Sequence, residues 1–520
     1  MGFDFYVEGE NYMSKLGIKV WTDRLEEVRS QIRDLAGIRS TGASPPPLHR
    51  QDDHHEKVIS ILKKLLVCLN EFSEKQFGYF LDGFFGDNPA KKLTVSKKYP
   101  PEHVLNATLD QIEYDYWVIS HALSQRNSGS DEVKRILQIA DILGRLALQP
   151  AIEGGHLGNL QVITYLHKSP SIRVIPYFNI ALVGIPPTVG STPRDYLAIP
   201  HEVGHLIYWL GKVKSESSED TVSISSIFKR EKLEKNVIAN RWIEEIFADI
   251  YGVSLAGPAI ALSFQDLALQ LEQDEFFEDD GDHPPPILRP IIYTKILNKI
   301  GYTNFADALK DHWLGKKGKL KNRLEKEKAT KNPSTEEETG EEGNSSQRNS
   351  SESENSPEKY EFAFKKRDGK FQLVEHVFSI DPKLPLDKTK QIEYVVKSIY
   401  EKIHGNDDNQ PWMKFGCNWW RNIFNDGTDV DTIYSKFEDK IEEFTKSSDF
   451  EDEVNTFIDE LEIDPCVNYD TLIDRWIKEF VWVASEKGNN IEGKIPYTWL
   501  PIFIANGWTT EGPVSNPPGP

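Results

Sequence analysis

Thr192–Lys212 reads TPRDYLAIPHEVGHLIYWLGK, with His201-Glu202-Val203-Gly204-His205 at its centre. On an α-helix, residues i and i+4 share a face, so His201 and His205 point the same way. Two imidazoles at that spacing can grip one zinc ion. Glu202 is displaced by about a quarter turn, which brings its carboxylate beside the metal, where it can take a proton from a metal-bound water. Thr192 suits an N-cap, Pro193 suits the first helical position, and Asp195 makes a capping-box variant. Pro200 removes one intrahelical hydrogen bond and is expected to kink the helix just before His201. Alternatively, the metal helix starts at Pro200 itself, with a short separate turn ahead of it.

The five-residue pattern recurs by chance, so a third ligand has to decide. Val237–Leu255, VIANRWIEEIFADIYGVSL, reads as the next strong helix. Glu245 and Asp249 are again an i, i+4 pair. Glu245 can complete a His-His-Glu set that leaves the fourth zinc position open. Asp249 can accept the free ring N–H of a ligand histidine and so fix its tautomer. Glu244 competes with Glu245. Glu245 is preferred because only it has an aspartate four residues on, and because Trp242, Ile246 and Ile250 then mark the neighbouring buried stripe.

With HEVGH on one helix and Glu245-Ile-Phe-Ala248-Asp249 on the next, the chain resembles the gluzincin metallopeptidases, of thermolysin-like and minigluzincin type, over roughly residues 170–300. The resemblance implies a zinc-dependent hydrolase in which Glu202 is the general base. It implies a small sheet ahead of the metal helix, with an edge strand lining the cleft, so that part of Ile172–Ile185 binds an extended peptide by strand addition. The residues alone equally allow plain sheet core there. His283-Pro284-Pro285-Pro286, followed by Arg289, looks like a stretch found in some gluzincins. A histidine there could donate to the oxyanion of the tetrahedral intermediate, with Arg289 bracing the ligands and Tyr293 a weaker candidate for the donor role. A rigid turn with an exposed histidine is the plainer reading.

Composition bounds the rest. The chain has 520 residues and 12 Trp, enough for two or three domains with a sizeable core. A net charge of −21 argues against nucleic acid or an anionic membrane as the main partner. The three cysteines, Cys68, Cys417 and Cys466, form no CxxC and read as buried free thiols in a reducing compartment. The opening MGFDFYVEGENYMSK lacks the pattern of a signal peptide, and no apolar run is long enough to span a membrane. A cytoplasmic location is therefore expected.

Along the chain, Val20–Ile38, Glu56–Phe72, Ala107–Leu123 and Asp131–Leu148 carry apolar residues at helical spacing. His54 and His55 stand at a helix start without cysteine partners and are read as non-ligands. Val162–Leu166 and Ile172–Ile185 are β-branched and aromatic, cut by Pro176. Glu216–Ser226 reads as a loop, and Gly257-Pro258 stops the Glu245 helix. Helices are expected at Ala259–Leu271, Ile291–Ile300 and Phe305–Leu314. Gly315–Lys359 is low-complexity and reads as a linker. Beyond it, Tyr360–Phe364 and Lys370–Ser379 flank a hairpin signal. Helices follow at Lys388–His404, Val430–Phe444, Asp449–Leu461 and Asp470–Ser485. Trp412, Trp419 and Trp420, near Cys417, read as core packing.

The expected fold is α+β and mostly helical. A helical N-terminal region (1–160) precedes a zincin-like core with a small sheet (161–314), a linker (315–359) and an α+β, mainly helical unit (360–520). The expected function is a zinc metallopeptidase acting on peptides or proteins, an endopeptidase rather than an exopeptidase. The alternative is a catalytically silent, zinc-stabilised protein-interaction module.

Overall fold

The computed structural model describes residues 15–37, 54–86, 101–175, 178–214, 221–230, 242–268, 283, 284, 286, 288–311, 359–365, 371–377, 388–406, 410–415 and 422–461. The expected linker up to residue 358, the helix at 470–485, Trp419, Trp420 and Cys417 fall outside them. Within them the protein is mostly helical with a small three-stranded sheet, an α+β arrangement. No described helix is long and apolar enough to cross a membrane. The chain forms two compact units, one of residues 1–224 with 438–520 and one of 225–437. The expected segments 161–314 and 360–520 are therefore each shared between the two.

Four long helices open the first unit: α1 (Lys15–Ala36), α2 (His54–Phe85), α3 (Pro101–Ser128) and α4 (Asp131–Glu153). α2 buries Val58, Ile61, Leu62, Leu65 and Leu69 against α1 and α3, the i, i+3, i+4 spacing that makes one apolar face. α4 starts where Ser130 Oγ accepts from Val133 N at 3.3 Å, with Asp131 and Glu132 in the first turn, so cap and helix dipole agree. The sheet follows, with order β1 (Gln161–Leu166), β3 (Ile180–Ile185), β2 (Ser171–Val174). β1 runs parallel to β3 and β2 antiparallel to it. All six residues of the central strand β3 are buried. Two glycines permit close approach. A Cβ at Gly144 would meet Val162 at 2.9 Å, so α4 can lie against β1, and a Cβ at Gly184 would fall 3.3 Å from the Tyr165 ring.

A short 3-10 turn, Pro193–Leu197, precedes α5 (Ala198–Leu210). Thr192 makes no side-chain cap, contrary to expectation. Asp195 is engaged instead by Thr188 Oγ1, and a carboxylate used there cannot complete a capping box. The anticipated break comes as this separate turn, two residues ahead of the alternative start at Pro200. Pro200 lies in the first turn of α5, where a missing N–H breaks no intrahelical bond.

The described part of the supposed loop at 216–226, residues 221–226, is regular structure. β4 (Lys212–Lys214) pairs antiparallel with β5 (Thr221–Ser223), and α6 (Ile224–Arg230) follows. Each strand puts a valine between two polar residues, with Val213 buried, the period-2 pattern of a half-buried hairpin. Cys68, buried on α2, is disulfide-bonded, which overturns its reading as a free thiol.

In the second unit, α7 (Ile243–Ala256) ends at Gly257, whose φ of 59° suits a residue without a side chain. Trp242 stands at its start, so the helix begins later than Val237, and 237–241 are not described. α8 (Pro258–Ala268), α9 (Arg289–Lys299), α10 (303–311) and α11 (Lys388–His404) follow, with the antiparallel pair β6 (Lys359–Lys365) and β7 (Phe371–Val377) before α11. α7 packs on α8, α9 and α11. Ser254 Oγ donates to Ile250 O at 2.7 Å and lies 2.7 Å from His404 Nε2. Trp412 is half-buried, with its ring 5.8 Å from that of Phe228.

α12 (Ile433–Phe444) leads the chain back, and α13 (Ser448–Glu460) packs on α4 and α2 of the first unit. Arg145 pairs with Glu453 and, through Nε at 2.7 Å, with Glu460. Phe457 is fully buried, with its ring 5.1 Å from that of His54.

His54 is itself fully buried, its Nε2 3.1 Å from Asp141 Oδ2. Asp141 Oδ1 also faces Arg126 at 3.0 Å and accepts from Thr164 N and Oγ1, each at 2.7 Å. Burial alone would raise the Asp141 pKa, but Arg126, His54 and Thr164 together hold it below the ordinary carboxylate range. Arg126 also donates to Thr164 O at 2.7 Å. Gln125 accepts from Leu166 N at 2.7 Å and donates to Leu166 O at 2.8 Å. Side chains of α3 and α4 thus satisfy the backbone of Thr164 and Leu166 along the outer flank of β1, the device that keeps a sheet edge from pairing further.

Candidate metal centre

On α5, Ile199, Val203, Leu206 and Ile207 are fully buried, and the helix packs on α4, β2 and β3. His201 and His205 occupy the other side of the helix, about half a turn round from that stripe. Their Nε2 atoms lie 3.2 Å apart, and the rings stand at 90° with centroids 4.8 Å apart. Without a third party this is an N–H···N contact between two imidazoles. Two nitrogen ligands on a tetrahedral zinc at about 2.0–2.1 Å would be about 3.3–3.4 Å apart, so the pair fits the edge of a zinc tetrahedron. Glu202 lies between them in sequence and is buried. On β1, the Tyr165 hydroxyl is pushed up to about 12, chiefly by burial, with Glu202 adding in the same direction. It lies 3.5 Å from Ser171 Oγ.

In the second unit, Glu245 and Asp249 point into the core from α7, and Glu244 is only half-buried. The α9 residue Arg289 spans the Asp249 carboxylate, Nε to Oδ2 at 3.1 Å and NH2 to Oδ1 at 2.5 Å. Tyr293 donates its hydroxyl to Asp249 Oδ1 at 2.6 Å. The same guanidinium lies 3.7 Å from Glu245 Oε2. Its other face rests on the Phe264 ring at 4.0 Å. Burial alone would lower the Arg289 pKa, but Asp249, and to a smaller degree Glu245, hold it above the ordinary value. Tyr293 is raised well above its ordinary value, first by burial and then by Asp249. His283 Nε2 stands 3.2 Å from Glu245 Oε1 with its side chain 48% exposed.

Two sets of anticipated residues are therefore brought together, one in each unit: His201 with His205, and Glu245 with Asp249, His283 and Arg289. Arg289 braces the carboxylates, as its position after the Pro-rich turn suggested. For Asp249, the donors found are Arg289 and Tyr293. The oxyanion role considered for Tyr293 does not fit, because its hydroxyl is buried and its proton is given to Asp249. The signal for this contact was legible as an i, i+4 pair, Arg289 and Tyr293, which puts both donors on one face of α9. Comparison of the whole chain with protein-family models, with curated proteins and with solved structures found no match.

Proposed function

We propose that the protein is a zinc-dependent metallopeptidase, an endopeptidase of zincin-like fold, with His201, His205 and Glu245 as the metal ligands. The observation that carries the reading is the 3.2 Å separation of the two histidine Nε2 atoms, the ligand spacing zinc asks for. The donor chemistry adds support: two imidazoles and a carboxylate are a ligand set that zinc takes. Bound there, zinc supplies Lewis-acid chemistry, acidifying water and polarising a carbonyl. Glu202 takes the proton released by water and passes it to the leaving nitrogen. Arg289 stands beside the Glu245 carboxylate and is held there by Asp249, which Tyr293 braces in turn. His283 is the donor proposed for the developing oxyanion. The substrate lies extended along β2, since β3 is central and the outer flank of β1 is capped by side chains.

Metal content tests the reading. Purified protein is expected to carry one zinc per chain, lost in His201→Ala and in His205→Ala and weakened in Glu245→Ala. Full zinc occupancy in the double histidine variant would remove the assignment. Asp249→Asn keeps the shape of the side chain but takes away the charge facing Arg289. The guanidinium is then drawn to Glu245 and competes with the metal. Zinc affinity, measured against a chelator, is expected to fall by about 10–100-fold, while Glu244→Gln leaves it within about twofold. If Glu244→Gln is the damaging change and Asp249→Asn is silent, Glu245 is the wrong ligand.

A further inference from the structure

Cys68 is disulfide-bonded, and the chain has three cysteines in all. Its partner is therefore Cys417 or Cys466, both outside the described residues. Cys466 belongs to the same compact unit as Cys68, whereas Cys417 belongs to the other. On α2, His54 and Cys68 are 14 positions apart, which at 100° per residue leaves them within about 40° of each other on one stripe. Both are buried there. That stripe already receives α13, since the Phe457 ring lies 5.1 Å from the His54 ring.

The reach of the chain agrees with that pairing. Cys68 is about 21 Å along α2 from His54, at 1.5 Å per residue. From Phe457, one helical turn of about 6 Å leads to Leu461, which is buried. The five further residues to Cys466 extend by up to about 17 Å. The Cα atoms of a disulfide stand about 5.5 Å apart. The chain beyond α13 is thus long enough to follow the stripe from His54 to Cys68.

We infer that Cys68 is bonded to Cys466, and that this bond is a redox-dependent latch holding α13 on α2 and α4. The bond forms by exchange with an external disulfide, oxidised glutathione or a protein disulfide. The two thiols give up two protons and two electrons, one S–S bond is made, and the external disulfide leaves as two thiols. Within α13 only Phe450 and Phe457 are buried. Its carboxylates facing Arg145 are 30% exposed at Glu453 and 45% exposed at Glu460, and ion pairs open to solvent contribute little. A covalent tie just past the C-terminal end of the helix therefore decides how firmly it stays seated. The bond closes a loop of about 400 residues, so it acts mainly by restricting the open chain. In the reduced protein α13 is held by packing alone and opens more often.

The test uses the full chain, refolded with oxidised glutathione, alkylated in denaturant and digested without reduction. Mass spectrometry is expected to find one peptide pair joining Cys68 to Cys466, with Cys417 alkylated. A pair joining Cys68 to Cys417, or three alkylated cysteines, overturns the assignment. The latch is read separately, by amide hydrogen exchange along α13. Exchange at Phe457 is expected to be at least about tenfold faster in Cys466→Ser than in wild type, and within about twofold of wild type in Cys417→Ser. Wild type refolded and kept reduced should match Cys466→Ser, and it carries the comparison if the serine variant does not fold. Wild-type protection of α13 without the bond overturns the latch, even where the bond itself is found.

Discussion

Glu202→Gln is expected to leave zinc bound and to lower peptide hydrolysis by a factor of about 10²–10⁴, the usual contribution of a positioned general base. Glu202 lies between His201 and His205 on α5 and is buried, so the isosteric amide fits without repacking. It cannot accept the proton that the reaction releases. Metal content and turnover must be read on the same sample, because they separate two classes of protein. Zinc retained with hydrolysis lost identifies the base. Zinc present in both, with no hydrolysis even in wild type, identifies a zinc-stabilised interaction module, for which a glutamate here has no task. Activity above about a tenth of wild type in Glu202→Gln would remove Glu202 from the mechanism.

Asp141→Ala is expected to be the most destabilising single change in the first unit, by about 3–5 kcal/mol, the cost of breaking a buried ion pair from one side. The carboxylate serves His54, Arg126 and both the N–H and Oγ1 of Thr164 at once. Its loss strands a guanidinium with no solvent contact and frees the flank of β1. Against a typical total of about 5–15 kcal/mol, that brings the unit close to unfolding. The pH dependence has a definite sign. Because the folded pKa of Asp141 is depressed, its contribution is fully present above the unfolded value of about 3.9 and is lost as pH falls through the lower folded value. Urea midpoints between pH 7 and pH 2 should therefore converge for wild type and Asp141→Ala at the acid end. A gap below about 1 kcal/mol at pH 7 would show that the network contributes little.

These two residues also show what a sequence discloses. That Glu202 shares α5 with His201 and His205 was legible because the three lie within five positions on a single helix, where spacing fixes direction. The same holds for α2 and α4, whose apolar residues recur at helical period, and for β1, with its β-branched run. Asp141 gave no signal, since its partners come from α2, α3 and β1, and no local pattern joins them. The β4–β5 hairpin escaped because three residues are too few for alternation to stand out. The capping box misled, because its spacing says nothing of a competing donor such as Thr188, which takes Asp195. The disulfide at Cys68 escaped for a related reason, since cysteines far apart in sequence do not reveal which meet in space.

The return of α13 has a consequence for how the protein is made. Phe457 and Leu461 are buried, and α13 seats against α4 and α2, both part of the unit that begins at the N-terminus. On a ribosome adding about 5–20 residues per second, the chain from residue 224 to residue 461 takes on the order of 10–50 s to emerge. For that interval His54, Arg145 and the apolar face awaiting Phe457 have no α13 to cover them, while the intervening unit completes its own sequence before α13 emerges. A segment made before residue 224 is thus finished only after residue 448 has been made. It is the segment for which a holdase would be needed, and the one that truncation of the chain before Ser448 would leave permanently open.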